Sequence, residues 1–232
     1  MNSLLRLSEI WRYPVKSMAG ERLTSTELLS TGIPGDRVVQ VWNGTNRILT
    51  SRNHPKLLGH RAILGLDGEP RVDGLPWSDP EVARRVQAAA GAGAHLRRFD
   101  GAERFDILPL LVATDGTLAA FGRDPRRLRP NLVIAGVAGL AERGWEGHAL
   151  QVGRVVIGLA DLRGRCVMTT YDPDTQRQDH EVLRDIVRRF EGRLCLNALV
   201  LEPGPIAVGD AVELLGPWSP PNPASTVAPS GI

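Results

Sequence analysis

Turn-forming residues divide this chain into short pieces. Glycine occurs 25 times and proline 17 times in 232 residues, and the apolar stretches between them are mostly about as long as a single strand. Such punctuation leaves little room for long helices and favours many short strands joined by tight turns. The run "RVVQVW" at 37–42 is β-branched and alternating, "NGTN" at 43–46 is a hairpin turn signal, and "RILTSR" at 47–52 reads as the returning strand. "RAILGLDGEPRVDGLPW" at 61–77 reads as another hairpin turning at Asp67 and Gly68. Two strands flank Gly153, and "CLNALVLEPGPIAVGDAVELL" reads as three strands separated by Pro-Gly and Gly-Asp turns.

Three segments read as helices. Residues 79–94 have Asp79 as N-cap and Pro80 at the first helical position, with Gly91 and Gly93 at the end. A shorter helix starts at Thr114 or Asp115. In "DHEVLRDIVRRF" the helical spacing places Val182, Leu183, Ile186, Val187 and Phe190 on one face. The expected fold is mainly β with some helices (α+β), barrel-like and in two parts: residues 1–95 and residues 96–216. Residues 217–232, rich in Pro, Ser and Ala, are expected to be a disordered tail.

Composition narrows the function classes. Apolar residues make up 42% and charged residues 23%, as in ordinary soluble domains. Apolar runs such as Leu108–Ala113 are far too short to span a bilayer, and the N-terminus has no long apolar core before a cleavage site. The expected location is the cytoplasm, without a membrane anchor. Two cysteines make no disulfide framework. Lysine occurs only at Lys16 and Lys56, so arginine supplies nearly all of the 28 basic residues. A nucleic-acid binder would show a dense basic stripe with interleaved aromatics. Here aromatics are only 5% and the arginines are scattered among acids, which argues against nucleic acid as a partner.

The residues that could carry chemistry begin with Cys166, in "GRCVMTTYDPDT". Arg163 and Arg165 precede it, and neighbouring cations favour a thiolate, which is both nucleophile and soft-metal ligand. The competing reading is a buried strand cysteine beside surface arginines, and local sequence leaves both open. Cys195 enters a strongly apolar strand and reads as core. A second constellation is basic and hydroxylic: Lys16 and Ser17 in "YPVKS", Arg37 in "PGDR", Thr50, Ser51 and Arg52 in "LTSR", and Arg129 and Asn131 in "RRLRPN". If the fold gathers them they suit a phosphate-bearing ligand, since arginine forks match phosphate oxygens. Spacing along the chain does not show that they converge. Glycine-rich phosphate loops and a serine-hydrolase elbow are absent.

"WRYPVKSMAGERL", "GIPGDRVVQVW", "LTSRNHPKL", "RPNLVI", "GRCVMTTYDPDT" and "PGPIAVGDAVELL", in that order, resemble the MOSC superfamily. The match is to members that also carry the MOSC N-terminal β-barrel domain, such as the mitochondrial amidoxime-reducing component and bacterial relatives. The resemblance runs to about Gly216. It implies a MOSC β-barrel domain packed on a smaller N-terminal β-barrel domain, with a molybdenum cofactor (molybdenum-molybdopterin) between them. It places the molybdenum-ligating cysteine at Cys166 and the pterin and phosphate contacts at Lys16, Ser17, Arg37 and Arg129. Arg165 matches the arginine before the cysteine, and Asn131 follows in the "RPN" match. A segment near the metal falls on Thr114, Asp115 and Gly116, with Asp115 as a candidate catalytic proton relay. Asn197 falls where the family has a polar residue near the pterin.

By resemblance the chain is a molybdenum-dependent oxidoreductase reducing N-hydroxylated or N-oxide-type small molecules. Two cysteines cannot supply the four that an iron–sulfur cluster needs. Electrons are therefore expected from a separate protein, of ferredoxin, cytochrome b5-like or flavin-reductase type. The alternatives are a sulfur carrier working through a Cys166 persulfide and a non-catalytic carrier of the cofactor. Pyridoxal phosphate is disfavoured, because only Lys16 and Lys56 could form its Schiff base.

Overall fold

The computed structural model describes residues 4–218. Among these residues an eight-stranded sheet forms the main body. Its order in space is Val212–Pro217, His148–Val152, Val155–Gly164, Arg193–Glu202, Leu110–Thr114, Leu132–Ala135, Arg6–Arg12 and Glu21–Leu23. All neighbouring pairs are antiparallel except Leu110–Thr114 with Leu132–Ala135. A parallel pair needs a crossover, and the short helix Asp115–Phe121 lies in it. The inward side chains, among them Leu7, Ile10, Leu110, Leu150, Ile157 and Leu196, form one buried cluster.

The first strand thus belongs to the same sheet as the C-terminal half of the chain, and Ser25–Leu28 pairs with Gly204–Ala207. Residues further along the first half build a separate core. Val39–Trp42 sits between Ile48–Leu49 and His95–Arg98, and the hairpin Ala62–Leu64 with Pro70–Val72 turns where Asp67 and Gly68 were expected to turn it. Helix α1 (Pro80–Ala90) covers this core with Val82 and Val86. The Asp79 side chain accepts the Glu81 N–H at 2.7 Å. Gly91, at φ 102°, ends the helix four residues short of the expected 94, because that backbone conformation suits glycine and breaks the helix.

Helix α2 (Asp115–Phe121) is capped by Thr114, whose Oγ accepts the Thr117 N–H at 3.0 Å. Buried Glu142 receives the hydroxyls of Thr114 and Thr117. A Cβ at Gly116 would lie 2.1 Å from the Gly139 carbonyl oxygen and 2.5 Å from that of Val137. Gly116→Ala is therefore expected to destabilise the fold by about 2–3 kcal/mol through overpacking against backbone. A urea midpoint equal to that of the wild type would contradict this contact.

Helix α3 (His180–Phe190) packs Val182, Ile186 and Phe190 against α2 and the strand Arg193–Glu202. Val187, expected on the same face, is 57% exposed, because the buried stripe is only one residue wide per turn. The C-terminal boundary also differs from expectation. The last strand runs to Pro217, and the Trp218 ring N–H donates to the Leu159 carbonyl at 3.1 Å. Gly158 leaves room for that ring: a Cβ there would meet it at 2.6 Å. The rest of the expected tail, 219–232, lies outside the described residues. Among the described residues no helix is long and apolar enough to cross a membrane.

Candidate functional site

Cys166 follows the long strand Val155–Gly164 and starts a short helical turn, Val167–Thr170. Its carbonyl accepts the Thr169 N–H at 3.0 Å and the Thr169 hydroxyl at 2.9 Å. The backbone is thereby fixed while the half-buried thiol opens into a cavity of about 350 Å³. Loops from both halves of the chain line that cavity, and they bring Lys16, Ser17, Arg37, Arg52, Arg129 and Arg165 to it. Seven basic side chains line it against one carboxylate, Asp106. Such an imbalance inside low-dielectric walls focuses a positive potential and draws anions.

Three of these residues sit in strained backbone. Ser17, Arg37 and Arg129 have φ of 73°, 57° and 56°, each costing about 1 kcal/mol or more for a non-glycine residue. Surrounding contacts hold them there. The Ser17 hydroxyl accepts the buried Ser51 N–H at 3.0 Å. Arg37 pairs with the fully buried Asp36, whose carboxylate also accepts the Tyr13 N–H at 2.7 Å and the Asn131 amide at 3.2 Å. The Arg129 guanidinium lies over the Tyr13 ring, 4.2 Å from its centroid. Burial pulls Arg129 down to about 10 and also lowers Arg163 and Arg165. Arg129 therefore remains charged at neutral pH.

Asp106 joins three of the cations. Its oxygens lie 2.8 Å from Lys16, 2.7 Å from Arg52 and 3.4 Å from Arg163. Burial works against its charge, but its cationic partners, Lys16 first, outweigh this and hold the carboxyl below the usual carboxylate range. A depressed folded value gives stability that is present above the unfolded value of about 3.9 and is lost as pH falls through the lower folded value. Asp106→Asn is expected to flatten this acid limb of the stability curve, read by denaturant unfolding between roughly pH 5 and pH 2. An unchanged slope would show that Asp106 does not carry it. Partial burial opposes the Arg52 charge too, and Asp106 and the Cys166 thiol together keep that guanidinium above its ordinary value.

Not every expected residue meets the cavity. Ser51 lies behind Ser17, with its hydroxyl buried and without a hydrogen-bond partner among the described residues. Asn131 is buried and takes the Leu111 N–H on its side-chain oxygen. With Asn197 it lines a small adjoining cavity of about 60 Å³ behind Arg37 and Asp106. Thr114 and Asp115 do not line the main cavity. Thr114 caps α2, and the Asp115 carboxylate accepts the N–H groups of Gly116, Gly136 and Val137 at 2.8, 2.7 and 3.0 Å. The catalytic proton relay expected of Asp115 therefore has no support in this geometry: its oxygens tie a loop to a helix start.

Sequence reasoning missed Asp106, Asp36 and Arg127. Asp36 stands inside the quoted "PGDR", so the signal was present but was read only for its arginine. Arg127 reaches Asp172 at 3.0 Å and the Thr169 carbonyl at 3.3 Å, bracing the Cys166 loop. Asp106 sits in "RFDILPL", a stretch with no motif.

A family model described as MOSC domain matches residues 114–213, and one described as MOSC N-terminal beta barrel domain matches residues 4–85. The chain is similar to mitochondrial amidoxime-reducing component 1 of Homo sapiens, at 26% identity over 90% of this chain and 83% of that protein. It is also similar to mitochondrial amidoxime reducing component 2 of Homo sapiens, at 31% identity over 82% of this chain and 72% of that protein.

Proposed function

The chain belongs to the MOSC family, with the MOSC N-terminal beta barrel domain ahead of the MOSC domain, and on that premise we propose that it is a molybdenum-cofactor oxidoreductase. In this reading it removes oxygen from N-hydroxylated or N-oxide-type small molecules. An N–O bond breaks, two electrons and two protons enter, and water and the reduced nitrogen compound leave. The electrons come from a separate carrier protein, of ferredoxin, cytochrome b5-like or flavin-reductase type.

One observation carries the reading: Cys166 opens into the same cavity as Lys16, Arg37, Arg129 and Arg165. The residues fit the group on their own chemistry. Seven cations against one carboxylate suit a ligand with a terminal phosphate. Arg165 Nε, at the cavity wall, is buried with no hydrogen-bond partner among the described residues, which leaves one donor for a bound group. A thiolate is a soft anionic donor and would suit a metal that also carries sulfur ligands.

Lys16, Ser17, Arg37 and Arg129 would hold the phosphate end, and Cys166 would supply the protein thiolate to the metal. When bound, the cofactor supplies two-electron oxygen-atom chemistry. Arg52 lies beside the thiol and is held there by Asp106, so it keeps positive charge next to the sulfur. Arg127 braces the loop against Asp172 and so sets the sulfur's position.

The test is metal analysis of protein expressed in a host with an intact molybdenum-cofactor pathway. Close to one molybdenum per chain supports the reading and justifies screening N-hydroxylated substrates. Protein without molybdenum from that host overturns it and leaves persulfide chemistry at Cys166 as the next candidate.

A further inference from the structure

A second cavity, of about 510 Å³, backs onto the first across a wall that includes Arg127, Arg129 and Met168. Its size is within the range of small-molecule sites, and the proposed function gives it no role. Trp11 and Tyr13, two residues apart, line it with nearly parallel rings, 11° between planes and 6.4 Å between centroids. Leu58 and Tyr171 add apolar surface. The chain passes close to the Tyr13 ring at Gly20, where a Cβ would lie 2.5 Å from the ring and 2.3 Å from the Arg12 carbonyl oxygen. That position therefore requires glycine, and the glycine keeps this side of the cavity open.

The charges around it are unequally matched. Arg126 is held by both Asp124 and Asp174 at 2.6 Å, Glu21 is paired with Arg12 at 2.9 Å, and Arg22 reaches Glu9 at 3.3 Å. Arg129 and Arg61 are different. Among the described residues neither guanidinium has a carboxylate partner. Arg129 lies over Tyr13 at the inner wall, and a guanidinium over an aromatic face keeps its N–H donors available at its edge. Arg61 is exposed and lines the same cavity. An apolar slot with flat aromatic surface and two unmatched guanidinium groups calls for a ligand with a flat apolar body and a planar anion.

We infer that the second cavity binds an aromatic carboxylate, its ring against Trp11, Leu58 and Tyr171 and its carboxylate on Arg129 and Arg61. The inference stands on the second cavity's own lining, while the affinity there is coupled to the first cavity. Because Arg129 lines both, an anion bound in one weakens the hold on an anion in the other, and the effect is reciprocal.

Isothermal titration of the full-length protein with 2-naphthoate tests this, with 2-naphthamide as the uncharged probe of the same shape. The expected result is saturable one-site binding of naphthoate, about tenfold tighter than the amide. Arg61→Gln should weaken naphthoate several-fold, roughly the worth of one solvent-exposed ion pair, and leave the amide unchanged. Leu58→Trp should abolish both by filling the cavity. If that variant does not fold, Ala19→Phe, at another lining position, takes its place. Binding should survive Cys166→Ala, since Cys166 lines only the first cavity. Absence of saturable binding, equal affinity for the two probes, wild-type binding in the filled variants, or loss on Cys166→Ala would each overturn the inference. The last of these would put the ligand in the first cavity, while molybdenum content separately reports on the proposed function.

Discussion

Protein carrying Cys166→Ala is expected to fold as the wild type does and to emerge from a cofactor-competent host with its molybdenum largely gone. The fold should survive because this residue's structural work is done by its backbone. Its carbonyl receives the Thr169 N–H and hydroxyl, and alanine keeps both bonds. The thiol itself is only half-buried and opens into a cavity, so truncation leaves no closed void of the kind that makes core substitutions costly. A metal held as proposed would, by contrast, lose the protein's thiolate. Changes to residues that merely support a metal ligand lower affinity by about 10–100-fold, so removing the ligand should cost at least that much. Cys166→Ser sharpens the comparison, since a hydroxyl has nearly the same shape but is a hard donor and not ionised at neutral pH. Metal analysis and thermal melting on the three proteins decide the matter. Full molybdenum in Cys166→Ala would show that the sulfur is not the ligand, and a collapsed melting temperature would show that it is core.

Asp36→Ala is expected to cost about 3–5 kcal/mol, the usual loss when one member of a buried ion pair is removed. Asp36 is fully buried and its carboxylate holds three groups at once: the Arg37 guanidinium, the Tyr13 N–H and the Asn131 amide. Alanine leaves all three without that acceptor, and it leaves the Arg37 charge at the cavity edge uncompensated. Arg37 also stands at φ 57°, a conformation that persists only when its surroundings enforce it. The loss should therefore appear both in the urea midpoint and in retention of an anionic ligand. Asp36→Asn, which can still accept from Tyr13, should fall between alanine and wild type. Asp36→Ala with wild-type stability would mean that these contacts are not maintained in solution.

Much of the local structure was legible along the chain. The turn at Asp67 and Gly68, the Asp79 cap and the Thr114 cap each depend on residues within a few positions of one another, and the structure has them where residue chemistry put them. The quoted motifs also contained most of the residues that line the cavity around Cys166. Asp115 shows where this kind of reading fails. A carboxylate after a capping threonine looks the same whether it faces a ligand or a loop, and here it takes three backbone N–H groups, two of them 21 and 22 residues away. Val187 fails for a related reason: periodicity marks a face but not how much of that face its neighbours cover.

Asp106 had no signal at all. Its partners Arg52 and Arg163 lie 54 and 57 residues away on opposite sides of it along the chain, and nothing adjacent to it announces them. The pairing of Arg6–Arg12 with Leu132–Ala135 is equally invisible from either segment. Turns, caps and the β-rich character follow from neighbours along the chain, because backbone sterics and short-range hydrogen bonds decide them. Which cations share a wall, which of them stay unmatched and which thiol opens among them were decided only by the tertiary structure, because charges act through space and sheet register sets which distant loops meet.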